Sequence, residues 1–355
     1  MNVDRPEAVM ISAGDFQALV ALRLKQGEFM ALQAVQDDRG VQPLLEFEVP
    51  EKSLETQLRY LEQVARQFHA FGRLVMVDAS ALEAAPTFGG EQQAGLGSLA
   101  DRLGAPENLL AFPEQIPFVP VVGDGLAANQ LAWTGRLCAE LGAGGALRVK
   151  HEAFMTGEIE RLLKGLELAV GDVDLILDLG YLESITAELA DSVLSAFEAA
   201  RTVGPFRSRT LLSGSIPSTL ERTALWERPR FEEALWGAVV DGGGRDIRLG
   251  DYGVVYPRGG KLFPSKHVNM KYTCPEHWLF GRERMADSKK QASTLEIVCR
   301  NLVESESFSG PEFSWGDQEI ANAANGTGTG NSLKSKPIAI GTSHHLAYLA
   351  SLQAA

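Results

Sequence analysis

The segment Ala146–Gly180, ALRVKHEAFMTGEIERLLKGLELAVGDVDLILDLG, holds the clearest sign of the chain's architecture. Its two ends, ALRVK and VDLILDL, are short runs rich in aliphatic residues. Between them, GEIERLLKGLELAV repeats apolar residues at three- and four-residue spacing, which is typical of an amphipathic helix. A strand, a helix and a second strand within this length form the unit from which parallel sheets are built.

The same unit recurs along the first two-thirds of the chain. Runs typical of strands, each followed by a helical pattern, begin about every 30 residues, as a strand with its crossover helix requires. These runs are Gln17–Lys25, Val41–Val49, Arg73–Asp78, Pro117–Val122, Ala146–Lys150, Val173–Leu179, Arg207–Ser213 and Ile247–Val255. Eight units predict an α/β fold, a closed (β/α)8 barrel of the TIM type. An open doubly wound sheet is the alternative, although no G-x-G-x-x-G motif follows the first strand.

Residues 258–355 do not continue this pattern. KHVNMKYTCPEHWLFGRE at 266–283 predicts one or two extra strands, and the segment 288–304 predicts a helix. GTSHHLAYLASLQ at 341–353 predicts a short final helix with a serine or threonine cap. We therefore divide the chain into a barrel at 1–257 and a C-terminal α+β extension, which packs on the barrel and caps one of its mouths.

The chain is acidic, with a formal net charge of -13 at pH 7 over 355 residues. An acidic surface repels nucleic acid and anionic membranes on average. Residues 255–290 depart from this trend, because they hold three acidic residues against eight basic ones: Arg258, Lys261, Lys266, Lys271, Arg282, Arg284, Lys289 and Lys290. This basic segment either docks on the acidic barrel or binds phosphate or nucleic acid, and the composition leaves both open.

Cysteine usage and the N-terminus indicate the compartment. The three cysteines, Cys138, Cys274 and Cys299, are far apart and form no C-x-x-C pair. This spacing argues against a disulfide framework and against a structural zinc site. The N-terminus lacks the basic stretch and apolar core of a signal peptide, and no run of about 18 apolar residues is present. We expect a reduced, cytoplasmic protein without a membrane span.

Charged side chains gather near the C-terminal ends of the predicted barrel strands. Residues two apart in a strand share a face, and the inward face of a TIM barrel is normally bulky and aliphatic. Here the strand ends carry instead Arg23, Lys25, Glu46, Glu48, Asp78, Arg148, Lys150, Asp178 and Asp251. Barrel enzymes keep their active sites at this end, so the ring of acids and bases predicts a site. A lumen of mutually satisfied salt bridges is the structural alternative.

Several of these residues suggest specific chemistry. Lys150, at the end of a predicted strand, suits a Schiff-base nucleophile, with a phosphate-binding or salt-bridged lysine as the alternative. Glu46, Asp78 and Asp251 offer the oxygen ligands that a hard divalent cation such as Mg²⁺ prefers. His345 acts as a general base if the extension brings it over the barrel mouth.

A series of short blocks follows in a fixed order along the chain. The blocks are KQGE at 25–28, PLLE at 43–46, GDY at 250–252, KYT at 271–273, WLFGR at 278–282, CR at 299–300, FSWGD at 313–317 and HH at 344–345. Together they resemble the beta protein family of bacteriophages and bacteria, over roughly residues 17–350. The resemblance implies a cytoplasmic protein of about this length with no assigned reaction. Its distribution suggests a part in conflict between phage and host.

The resemblance also singles out positions in this chain. The matched positions include Lys25, Glu28, Glu46, Asp251, Arg282, Asp317 and His345. The chain departs from the family at Glu283, where glycine usually follows the arginine, and at Lys336-Pro337, where Trp-Arg often precedes the paired histidines. If that arginine helps to form a site, Lys336 replaces it poorly, because a lysine cannot make the bidentate contact.

Two main functions follow as hypotheses. The first is an interaction component in phage–host conflict, phage-encoded or part of antiviral defence, with a protein partner from the same operon. The second is a metal-dependent enzyme acting on a phosphorylated or nucleotide-like substrate at the barrel mouth; a Schiff-base lyase is a third. For an enzyme we predict catalytic roles for Lys25, Glu46, Lys150, Asp178, Asp251 and His345, substrate contacts for Arg23, Arg148, Arg282 and Asp317, and a divalent cation at Glu46, Asp78 and Asp251.

Overall fold

The structure, a computed structural model, describes residues 14–36, 40–48, 54–83, 92–105, 115–220, 222–257, 266–287 and 290–352. Its strands are β1 (Ala18–Arg23), β2 (Val41–Glu46), β3 (Met76–Asp78), β4 (Val119–Gly123), β5 (Gly145–Lys150), β6 (Val173–Tyr181), β7 (Ser208–Gly214), β8 (Ala224–Pro229), β9 (Ile247–Asp251), β10 (His267–Thr273) and β11 (His277–Arg284). Three residues of the predicted basic segment, Arg258, Lys261 and Lys289, lie outside the described residues.

The helices alternate with the strands along the barrel and then gather at the C-terminus. They are α1 (Gln26–Gln33), α2 (Leu54–Ala70), α3 (Ser80–Glu83), α4 (Gln92–Gly104), α5 (Ala128–Leu141), α6 (Thr156–Leu166), α7 (Ala187–Val203), α8 (Phe231–Asp241), α9 (Gln291–Val303), α10 (Trp315–Ala324) and α11 (Lys336–Ser351). Two 3-10 turns, His151–Ala153 and Val170–Asp172, flank α6.

Eight strands close into a parallel barrel in the order β1-β2-β3-β4-β5-β6-β7-β9, and the pairing of β1 with β9 completes the ring. The predicted (β/α)8 barrel is therefore confirmed, and every barrel strand falls on one of the eight predicted runs. The strands are aliphatic along most of their length because both of their faces are buried, one in the lumen and one under the helices. Polar residues appear where the strands reach their C-terminal ends.

The helices cover the barrel through single apolar stripes. In α6, Ile159, Leu162, Leu163 and Leu166 are buried, which is the three- and four-residue spacing of the sequence pattern. α5 ends where Gly142 adopts a positive φ of 64° and donates its N–H to a carbonyl one turn back. Glycine takes this left-handed conformation without the strain that a Cβ brings, so the helix stops there.

The extension contains a three-stranded antiparallel sheet in the order β10-β11-β8. The predicted strands at 266–283 are β10 and β11, and the predicted helix at 288–304 is α9. Sequence reasoning missed β8. This strand precedes residue 258, so the segment 1–257, which we predicted to form the barrel, supplies one strand of this sheet. The division at residue 258 stays a prediction.

The last helix is longer than its sequence pattern indicates. We predicted a short helix within residues 341–353 with a serine or threonine cap, but α11 already begins at Lys336, and no side chain in the described part of the chain caps it. Pro337 occupies the first turn, where a missing N–H costs nothing and the fixed φ suits the helix. α11 packs against α1, β10 and the barrel strands β1 and β2. Within the described residues, no helix combines the length and apolarity that crossing a membrane requires.

Gly135 tests how closely the barrel helices pack. A Cβ at Gly135 in α5 would lie 2.1 Å from the carbonyl oxygen of Leu166 in α6, whereas a Cβ at Gly237 in α8 would meet nothing within 4 Å. We expect Gly135→Ala to lower the free energy of unfolding by about 1–3 kcal/mol. The matched Gly237→Ala variant should raise it by up to about 1 kcal/mol through helix propensity. Urea unfolding measures the free energy of unfolding of both variants. Equal stabilisation of the two would contradict the close packing of α5 against α6.

Candidate active site

Arg148 joins three barrel strands at their C-terminal ends. From β5, its Nη1 donates to Glu46 Oε1 of β2 at 2.6 Å and to Asp78 Oδ2 of β3 at 2.7 Å. Its Nε donates to Asp178 Oδ2 of β6 at 3.0 Å, and its Nη2 donates to the hydroxyl of Tyr252 at 2.9 Å. We call these five residues the mouth group. Their side chains lie where TIM-barrel enzymes hold their catalytic residues.

Glu46 is the carboxylate of the mouth group with an oxygen to spare. Asp78 uses both oxygens, because Oδ1 accepts from the N–H and the hydroxyl of Ser80 at 2.9 and 2.6 Å. Asp178 also uses both, since its Oδ1 accepts from the Tyr252 hydroxyl at 2.5 Å and from a backbone N–H. Glu46 Oε2 has no hydrogen-bond partner among the described residues, and its side chain keeps 17% exposure.

The charges of the mouth group do not balance, because one guanidinium faces three carboxylates. Burial raises the pKa of Glu46; the cation of Arg148 lowers it in part, and the like charge of Asp78 raises it further. Burial also raises the pKa of Tyr252 well above its ordinary range, so its hydroxyl stays a donor to Asp178. Burial alone would lower the pKa of Arg148, but the neighbouring Tyr252 and carboxylates raise it, and the guanidinium stays charged.

Arg23 and Lys25 lie beside the mouth group at the end of β1. Lys25 Nζ pairs with Glu48 Oε1 at 2.7 Å, and Arg23 Nε lies 3.4 Å from the same oxygen. Arg23 Nη2 also donates to the carbonyl of Tyr256 at 2.6 Å, which ties the loop after β9 to β1. We call Arg23, Lys25 and Glu48 the rim group. The side chain of Lys25 is 32% exposed, so a ligand can reach its cation.

Lys150 ends β5, two residues beyond Arg148, but it does not join the mouth group. It is exposed, and its side chain makes no hydrogen bond or ion pair within the described part of the chain. A Schiff-base lysine is activated in a hydrophobic pocket or beside another cation. An exposed strand end does not provide such a pocket, so the geometry gives the lyase hypothesis no support.

Asp251 and His345 join the barrel to the extension. His345 Nε2 lies 2.9 Å from Asp251 Oδ2, and His345 Nδ1 lies 2.8 Å from the hydroxyl of Thr273. This order of groups matches a catalytic triad, but all three residues are at most 1% exposed. Burial raises the pKa of Asp251, while His345 and the nearby Arg230 lower it more, so the pKa is depressed. These three residues, Asp251, His345 and Thr273, hold β9, α11 and β10 together, and we call them the clamp.

Asp317 and Arg282 lie within the extension. Asp317 accepts from the hydroxyl of Tyr272 at 2.7 Å, and its Oδ2 lies 2.9 Å from His344 Nδ1. The rings of Tyr272 and His344 stack with centroids 3.6 Å apart. Arg282 of β11 lies 3.3 Å from His267 Nδ1. Among the contacts of the described residues, neither predicted substrate-binding residue meets the mouth group.

The predicted metal ligands divide between two places. Glu46 and Asp78 share Nη1 of Arg148, whereas Asp251 is held by His345. In the described ranges, no three Asp, Glu, His or Cys side chains are grouped as ligands for one ion. Glu46 and Asp78 do pair across β2 and β3. One or two carboxylates suffice for Mg²⁺ when substrate phosphate and water supply the remaining ligands.

Glu28 and Lys271 are two further ionisable residues with unusual surroundings, and sequence reasoning missed both. Glu28, in the first turn of α1, is 2% exposed, and neither carboxylate oxygen has a hydrogen-bond partner in the part of the chain described. Burial raises its pKa to about 7, although its own backbone N–H and the nearby cations Lys25 and Arg23 lower it. Lys271 of β10 donates to the carbonyl of Val254 at 2.7 Å, and burial lowers its pKa to about 8.

Tyr252 was missed as well, although a signal for it existed. It directly follows Asp251 in the GDY block, at the end of a barrel strand, and its hydroxyl links Arg148 to Asp178. Glu28 also lies in a matched block, KQGE. Its burial had no sequence signal, because a glutamate in the first turn of a helix is normally a solvated residue that favours the helix dipole.

We compared the chain with models of known protein families. A family model described as Beta protein matches residues 20–351, nearly the whole sequence, and confirms the resemblance drawn from the short blocks. The matched range contains all of the mouth group, the rim group and the clamp. No curated protein matches the chain.

Replacing Glu28 should change stability in a pH-dependent way. Its pKa of about 7 in the folded protein exceeds the ordinary value of 4.5, so ionisation destabilises the fold as pH rises through this window. Glutamine at this position stays neutral. We expect Glu28→Gln to gain on the order of 2–3 kcal/mol of unfolding free energy relative to the wild type between pH 5 and pH 8.

Urea unfolding at the two pH values measures this gain. Glu160→Gln is the matched control, because Glu160 is exposed on α6 and should show no such change. A difference between Glu28→Gln and the wild type that is the same at both pH values would contradict a buried, unpartnered carboxyl group at Glu28.

Proposed function

The chain belongs to the Beta protein family, and from this premise and the geometry of the barrel mouth we propose that it is a magnesium-dependent enzyme acting on a phosphorylated or nucleotide-like substrate. The observation that carries the proposal is the mouth group itself. Arg148 gathers carboxylates from three strands at the end of the barrel where enzymes of this fold keep their chemistry.

Glu46 is the proposed proton-transferring residue. Its Oε2 is free among the described residues, its pKa is raised by burial, and its side chain remains partly exposed. A general acid or base works best when its pKa lies near the working pH and when it can reach the substrate. Asp78 and Asp178 do not meet these conditions, because hydrogen bonds occupy both of their oxygens.

The charge distribution supports a substrate that arrives with a divalent cation. The mouth carboxylates outnumber their one guanidinium, so they would repel a bare phosphate. Mg²⁺ would offset this repulsion, and Asp78, whose Oδ2 accepts one hydrogen bond and keeps a lone pair, would supply a protein ligand and leave Glu46 Oε2 for proton transfer. When bound, the cation would neutralise phosphate charge. Arg23 and Lys25 of the rim group would contact the phosphate oxygens directly.

An interaction component in phage–host conflict is the alternative proposal. Its support is the distribution of the family that the sequence blocks resemble, and it predicts a protein partner from the same operon. It needs no reactive group at the barrel mouth. The raised pKa and free oxygen of Glu46 therefore favour the enzyme over this alternative.

Glu46→Gln tests the enzyme directly. The protein would be incubated with Mg²⁺ and a panel of nucleoside and sugar phosphates, and turnover would be followed by phosphorus NMR. For any substrate consumed by the wild type, we expect Glu46→Gln to reduce the rate by about 10²–10⁴-fold, because amides cannot transfer the proton. Chelation of the cation should also stop the reaction.

Glu160→Gln is again the matched control and should retain the wild-type rate. Turnover by Glu46→Gln at the wild-type rate would refute its role. No turnover of any panel member, with a protein partner that co-purifies stoichiometrically, would favour the interaction component instead.

A further inference from the structure

The two faces of the extension sheet carry different side chains. Residues two apart in a strand share a face, and the pairing of β10 with β11 and of β11 with β8 is continuous, so each face can be followed across all three strands. One face packs on α9, where Met270 and Leu279 join Val298 in one apolar core. Both acidic residues of the three strands, Glu227 and Glu283, belong to this face.

The opposite face is basic, and we call it the basic face. Its cations come from all three strands: Arg228 of β8, Lys271 of β10, and Arg282 and Arg284 of β11. No acidic side chain shares this face within the described strands. Near the barrel the face is covered, because Phe280 is buried against the loops that follow β7 and β9. At the far end of β11, Arg282 is half-buried and Arg284 is exposed.

These cations have no anionic partner among the described residues. Arg282 and Arg284 form no ion pair there, and neither does the exposed Lys266 just before β10. Lys271 donates to the carbonyl of Val254 at 2.7 Å, which is a neutral partner. A basic segment that served to dock on the acidic barrel would place its cations against carboxylates. The cations of the basic face are therefore free for an anion from outside the chain.

Polar and aromatic groups lie between the cations. Asn269 is paired with Arg282 across β10 and β11, and Asn269 Oδ1 and Arg282 Nε have no hydrogen-bond partner among the described residues. Trp226 of β8 lies on the same face, one row nearer the barrel, and is half-buried. The guanidinium of the exposed Arg222 lies over its ring, with Cζ 5.6 Å from the centroid. The face therefore combines positive charge, unused hydrogen-bonding atoms and a flat ring.

We propose that the basic face binds a single-stranded nucleic acid. Arg282 and Arg284 would contact backbone phosphates, and a base would stack on Trp226, since single-strand binding combines a cationic surface with aromatic rings. An acidic peptide would satisfy the cations but leave the ring and Asn269 unused. A duplex keeps its bases stacked on one another and presents none to Trp226.

The charge of the whole chain favours the basic face as the place of contact. With a formal net charge of -13, the chain repels polyanions on average. A local surface of unpaired cations is therefore needed to hold one. The proposal requires no reaction at the barrel mouth and is independent of the proposed enzyme.

Fluorescence anisotropy with the full-length protein tests the proposal. The probe is a labelled deoxythymidine oligonucleotide of about 12 nucleotides, a length within the range of single-strand binding sites. We expect binding that weakens as salt rises, because phosphate contacts release counterions. The double variant Arg282→Gln, Arg284→Gln should bind at least about tenfold more weakly and with a smaller salt dependence. Trp226→Leu should also weaken binding by about tenfold, but with the salt dependence unchanged, because stacking involves no phosphate.

The matched control is the double variant Arg136→Gln, Arg245→Gln, which removes the same charge from elsewhere on the chain. Both arginines are exposed, and their side chains make no hydrogen bond or ion pair within the described part of the chain. This variant should bind the probe as the wild type does. No binding by the wild type, or equal losses in the two double variants, overturns the proposal.

Competition identifies the kind of partner. A DNA duplex of the same length and an oligoglutamate of the same charge should each compete at least about tenfold more weakly than the unlabelled single strand. Equal competition by the oligoglutamate would mean that the face recognises charge alone. Equal competition by the duplex would mean that no base reaches Trp226. Either result overturns the assignment to single-stranded nucleic acid.

Discussion

The guanidinium of Arg148 is the constraint on which the barrel mouth depends. The ends of β2, β3 and β6 carry carboxylates that converge at the barrel mouth and would repel one another there. A planar group with five N–H donors can hold all three at once, and Arg148 does so while also binding Tyr252. A lysine would offer a point charge without this fork.

The same constraint distributes the roles among the carboxylates. Asp78 and Asp178 are fixed from both sides, by Arg148 and by Ser80 or Gly180 two residues further along the chain, so they serve as positioning residues. Glu46 is fixed through one oxygen only. A residue that is oriented, partly exposed and still able to exchange a proton is what general acid–base chemistry requires.

The clamp between β9 and α11 connects this mouth to the extension. Asp251, His345 and Thr273 form a buried hydrogen-bonded chain, and Arg230 compensates the charge on Asp251. Removing one member of such a buried set is expected to be costly, because it leaves its partner uncompensated. The clamp also holds α11 and β10 against the barrel.

Sequence patterns predicted the barrel because its strands are aliphatic and its helices are amphipathic at regular intervals. They missed β8, whose residues are half-buried or exposed and include charges, so no apolar run marks it. The ring of charges at the strand ends was predicted, and Glu46, Asp78, Arg148 and Asp178 do meet. The sequence could not show that Asp251 contacts His345 and not the mouth group, because this contact depends on how the extension packs on the barrel.

The direct test of this account is a carbon-detected NMR titration of the side-chain carboxyl groups, with Glu46 assigned from its missing signal in Glu46→Gln. The account predicts that Glu46 titrates above its ordinary value of 4.5, because burial outweighs the attraction of Arg148. Titration at or below that value would mean that Arg148 fully compensates Glu46. The mouth group would then be a structural salt-bridge cluster with no proton to transfer near neutral pH.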